Sequence, residues 1–137
     1  MKLSALLALC ALAALPPSAM GQRNPGSESC FDIGSQAQAK ECLESRSAAS
    51  EQALQAAEKT ALTALREWDD TPGNRKRSID ALQQANQQFR VYRSAHCSWQ
   101  ASLAAGGTGT AHRRLLCLIE LNERRVADLA AIQVARP

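Results

Sequence analysis

Aromatic residues are almost missing from this chain: two Trp, two Phe and one Tyr make up 4% of it. Seven Gly, five Pro and few β-branched residues leave little material for a β-sandwich or barrel. There is no long basic run, and the formal net charge is only +3. A chain this poor in basic stripes and aromatic platforms lacks the footprint of a nucleic-acid reader, so no nucleic-acid partner is expected. No Cys-x-x-Cys-His occurs, which excludes covalently attached haem. A nucleophile elbow, a phosphate-binding loop and a metalloprotease helix are absent as well. The protein is therefore expected not to be an enzyme, with no catalytic residue and no cofactor.

What is present is alanine and the straight-chain polar residues that favour helix. Hydrophobic residues reach 45%, enough for a packed core, and 137 residues suit one modest domain. The chain opens on Met1-Lys2, followed by an apolar run from Leu3 to Leu15 that only Ser4 interrupts. Pro16-Pro17 end the run, and Ala19-Met20-Gly21 place small residues before a cleavage point at Gln22. This pattern reads as a secretory signal peptide over 1–21, too short to span a bilayer. Loss of Lys2 with the signal lowers the net charge by one. No later stretch reaches membrane length, so a periplasmic or secreted product without a membrane span is expected. A polar lead-in over 22–34, with Pro25, Gly26 and Gly34, reads as flexible. One helical domain over 35–134 follows.

Four cysteines remain after the signal: Cys30, Cys42, Cys97 and Cys117. An even number in a small exported domain reads as two disulfides, with three possible connectivities. Cys97 and Cys117 lie ten residues on either side of Gly107. In an antiparallel hairpin turning at Gly106-Gly107-Thr108-Gly109 they stand level, which pairs them and leaves Cys30 for Cys42. The competing chemistry, zinc held by His96, Cys97, His112 and Cys117, matches no compact ligand spacing, and no metal site is expected.

Three amphipathic helices are legible. Ser35 and Gln38 form a capping box, and a helix runs from Gln36 to about Asp69 with Leu54, Ala57, Ala61, Leu65 and Trp68 on one stripe. The Asp69–Asn74 segment breaks it. A second helix is expected from about Lys76 to Ala104, its inward stripe being Ile79, Leu82, Asn86, Phe89, Tyr92, His96, Trp99 and Leu103. The third is expected from about Ala111 to Ile132, with Leu115, Leu118, Ile119, Asn122, Val126, Leu129 and Ile132 inward. The expected fold is all-α: a small up-down-up three-helix bundle stapled by two disulfides, after a cleaved signal peptide.

The stretch Leu82-Gln83-Gln84-Ala85-Asn86-Gln87-Gln88-Phe89-Arg90-Val91-Tyr92-Arg93-Ser94-Ala95-His96-Cys97 is similar to a motif of the LprI-type lysozyme-inhibitor family of exported bacterial proteins. Leu82, Ala85, Tyr92, Arg93, Ala95 and Cys97 fit that motif; Asn86, Phe89 and Ser94 depart from it. The glycine turn leading to Leu116-Cys117, Arg125 and Leu129 also resembles the family, as does the Cys30–Cys42 spacing. The resemblance implies an LprI-like domain, an exported location and lysozyme as partner. The alternative is a non-inhibitory envelope module that binds another envelope protein or cell-wall fragments.

Candidate residues divide in two. Arg93 and Arg125 read as structural, with buried stems and guanidiniums hydrogen-bonded to carbonyls or helix ends. Asn86 and His96 read as satisfied polar groups of the core, and Trp68 and Trp99 as core. Thr108, His112 and Arg113, at the tip behind the glycine turn, are the candidate partner contacts. An imidazole or guanidinium projecting there would bond the two carboxylates of a lysozyme cleft and block substrate sterically.

Overall fold

The computed structural model describes residues 29–32 and 34–134. The expected signal peptide and most of the lead-in lie outside these residues. Three α-helices follow a short 3-10 turn over Ser29–Asp32: α1 over Gln36–Arg66, α2 over Pro72–Ser102 and α3 over Thr108–Val134. They form an up-down-up bundle, with no strand among the described residues. In it α3 packs most extensively on α1 and α2 leans mainly on α3.

Local chemistry sets the helix starts. The Ser35 hydroxyl accepts from the Gln38 N–H at 3.3 Å, and the Ser35 N–H donates to Gln38 Oε1 at 3.2 Å, closing the expected capping box. Helix α1 stops at Arg66, three residues short of the expected Asp69. Helix α2 begins at Pro72 rather than near Lys76, because Thr71 caps it by accepting from the Asn74 N–H at 3.2 Å. Proline at the first helical position loses no intrahelical bond. Helix α3 begins at Thr108, three residues before the expected Ala111.

Both expected disulfides are present. Cys30–Cys42 joins the 3-10 turn to α1 across a Cα separation of 5.6 Å, and Cys97–Cys117 joins α2 to α3 across 5.5 Å. Cys30 is fully buried beside Leu43 and Ile119. At the other end of the bundle Leu54, Ala61 and Leu129 form a second apolar cluster, against which Leu82, Phe89 and Val126 pack.

The inward stripe of α2 differs from the expected one. Asn86, Cys97 and Ala101 are buried, and Phe89 and Arg93 are half-buried behind them. Tyr92, Trp99 and Leu103, expected inside, are 53%, 55% and 54% exposed. Tyr92 and His96 each precede an inward residue by one position, and one position rotates a side chain by about 100° around the helix. The disulfide at Cys97 and the polar contacts of Arg93 hold the phase that turns this row outward.

Candidate functional site

Two regions carry chemistry: a polar layer through the middle of the bundle, and the end where α2 turns into α3.

The polar layer ties all three helices. Asn122 of α3, buried, donates from Nδ2 to Ser50 Oγ of α1 at 2.9 Å. The Arg93 guanidinium of α2 donates to both Glu51 of α1 and Asn122. Arg125 donates to Asn86 Oδ1 at 3.0 Å. The Phe89 ring sits by both guanidiniums, 5.8 Å from the Arg93 carbon and 5.7 Å from that of Arg125. One layer down, Arg90 pairs with buried Glu58. Arg93 and Arg125 thus meet side chains, not the carbonyls or helix ends expected of them. Ser50, Glu51 and Glu58 are partners that sequence reading missed. Their only signal was position: they fall at helical spacing just beside the Leu54 stripe.

The turn end is built differently. After α2 the chain passes through three successive positive-φ residues, Ala105 at 53°, Gly106 at 96° and Gly107 at 72°. Two glycines make that path accessible, and the whole 105–109 segment is exposed. Thr108 and Arg113 are exposed at this end. His112 is not. It is 6% exposed, and its ring meets Phe31 edge-on at 5.7 Å. The expected projection of His112 from the tip is therefore corrected. The helical phase that sends Cys117 and Ile119 inward carries His112 in as well, under the disulfide-anchored 3-10 turn.

Beside the tip, the outward row of α2 makes a continuous ridge. Tyr92 and His96 rings lie 5.2 Å apart, and His96 meets Trp99 edge-on at 5.4 Å. A shallow groove of about 210 Å³ runs between this ridge and α3, lined by His96, Gln100, Arg113, Leu116, Glu120 and Arg124 among others. Arg124 pairs with Glu120, and Arg114 donates to Ser98 Oγ at 2.8 Å. The Arg113 side chain makes no hydrogen bond or ion pair among the described residues. No group of three or more His, Cys, Asp or Glu side chains among the described residues is placed to hold a metal ion. No described helix is long and apolar enough to cross a membrane.

The model of the family described as lysozyme inhibitor LprI matches residues 27–129. The chain belongs to the LprI lysozyme-inhibitor family. The matched span takes in both disulfides, all three capped or glycine-led helix starts and the polar layer. No curated protein and no solved structure matches the chain significantly.

Proposed function

We propose that this LprI-family protein is an exported inhibitor of lysozyme that blocks the enzyme's cleft sterically, by protein–protein contact from the glycine-turn end. The observation that carries the reading is the family match over 27–129, on a frame whose exposed turn is anchored by the Cys97–Cys117 disulfide between the two helices that flank it. A preorganised tip loses little conformational entropy on insertion. Thr108 and Arg113 are the contacts assigned to that tip. Arg113 brings an unpaired guanidinium, and a lysozyme cleft presents two carboxylates, to which charge-assisted bonds are strong. His112 acts from behind, as packing.

A strongly basic lysozyme is weakly repelled at long range by an exported chain that stays net positive, one unit below the +3 of the full sequence. Affinity then depends on local fit rather than on steering. Oxidised residues 22–137, titrated into a cell-wall turbidity assay with an animal-type lysozyme, test the reading. Stoichiometric inhibition at micromolar concentration or below is the expected result. A folded, disulfide-intact sample that neither slows lysis nor binds the enzyme overturns it, and an envelope-binding role takes its place.

A further inference from the structure

We infer that the lysozyme-docking surface extends from the tip along the outer ridge of α2, with Trp99 at its centre, Tyr92 and Leu103 at its ends and Arg113 as the cation entering the carboxylate-bearing cleft. This deepens the inhibitor reading and rests on it.

Three observations meet here. First, the chain has only five aromatic residues, yet it leaves Trp99 and Tyr92 more than half exposed on one face. Leu103 and Val91 are exposed nearby, so apolar surface gathers on the outside of this helix, while its inner face carries Asn86 and Arg93 beside Leu82, Phe89 and Cys97. Trp, Tyr and Arg are the residues that dominate binding energy at protein interfaces, and clustered exposed apolar side chains mark interaction sites. Second, the ridge is rigid. Tyr92, His96 and Trp99 touch in sequence, and the helix that bears them is tied to α3 at Cys97. Third, the charge beside the ridge is positive and uncommitted. Glu120, the groove's carboxylate, is already paired with Arg124, which leaves Arg113 free to meet an acid from outside.

From Tyr92 to Leu103 the ridge runs about 16 Å along the helix, and it ends where the exposed glycine turn begins. Ridge, groove and tip form one strip, long enough to lie along an extended cleft. The partner chemistry it fits is a cleft with apolar walls and an ionised carboxylate at its floor. That is the enzyme site itself, not a remote surface of it.

The test measures inhibition constants of oxidised variants of residues 22–137 against the same lysozyme, each checked for wild-type helicity and for absence of free thiols. Trp99→Ala is expected to weaken inhibition at least tenfold and Tyr92→Ala several-fold, while Gln55→Ala, on the exposed face of α1, changes nothing. A lysozyme variant with its ionised catalytic carboxylate changed to the amide supplies the second arm. Against it, Arg113→Ala is expected to lose most of the effect it has against the native enzyme. If the wild-type protein inhibits but Trp99→Ala and Tyr92→Ala stay within twofold, the ridge is not the docking surface and the inhibitor reading stands alone. If the wild-type protein neither inhibits nor binds, both fall together.

Discussion

The Arg93 guanidinium lies 5.8 Å from the centre of the Phe89 ring, one helical turn away on α2, while the same group donates to Glu51 on α1 and Asn122 on α3. One side chain therefore joins the three helices. It is a half-buried cation bonded through one terminal nitrogen to side chains of two neighbouring elements, with its buried Nε left unpartnered, so removing it strands polar groups as well as contacts.

Replacing Arg93 with Ala takes the donor from Asn122 Oδ1 and leaves Glu51 only the long bond from Asn122 Nδ2 at 3.5 Å. A loss of about 2–3 kcal/mol in unfolding free energy is expected, below the cost of breaking a fully buried pair because Glu51 is partly solvated. Urea unfolding followed by far-UV circular dichroism measures it. A change under about 0.5 kcal/mol would show that water replaces the guanidinium without penalty.

The two disulfides are expected to differ in consequence. Replacing Cys97 and Cys117 with Ala opens a crosslink of sequence separation 20 and costs about 3 kcal/mol by loop-closure entropy. It also frees the tip, so inhibition falls beyond what the unfolded fraction explains. Replacing Cys30 and Cys42, separation 12, costs slightly less and frees the 3-10 turn over His112. Paired thermal melts and inhibition titrations separate the two cases.

His112 and Arg113 are adjacent in sequence and opposite in environment. His112→Ala opens a space beneath Phe31 and should cost about 2 kcal/mol of stability, with inhibition per folded molecule unchanged. Arg113→Ala should leave the melting temperature unchanged and weaken inhibition. The reverse pattern would put the imidazole, not the guanidinium, at the partner.

Asp70 provides a pH dependence. The Asn74 side chain and the Thr71 N–H donate to its carboxylate, holding its pKa below the ordinary carboxylate value. A carboxylate with a depressed folded pKa stabilises the fold above its unfolded pKa. That contribution is lost as pH falls through the lower, folded value. Asp70→Asn should therefore lower stability slightly above about pH 4, with the two profiles converging below it, so that the acid limb of the variant is flatter. An unaltered acid limb would mean that solvent screens the site completely.

Much of this architecture was legible residue by residue. Ser35 and Gln38 announced the start of α1, and the placement of Cys97 and Cys117 about Gly107 announced their pairing, because both depend on local geometry. The start of α2 is hidden in the sequence because Thr71-Pro72 has the composition of a break, although the same pair is a cap followed by a favoured first residue. Of the tip residues, Thr108 and Arg113 are exposed and His112 is buried.

What the sequence determined by itself is what short-range physics decides: three helices, their turns, the level at which cysteines meet, and an apolar stripe on α1 and α3. What the tertiary structure alone decided is the rotation of α2 about its own axis. Two adjacent stripes compete on that helix, one carrying Tyr92, His96 and Trp99, the other carrying Arg93 and Cys97. By hydrophobicity the first belongs inside. The second is inside because Cys117, Glu51 and Asn122, distant in sequence, supply a disulfide and a set of hydrogen bonds that only it can reach. Periodicity defines the stripes of a helix; the partners waiting on the other helices choose between them.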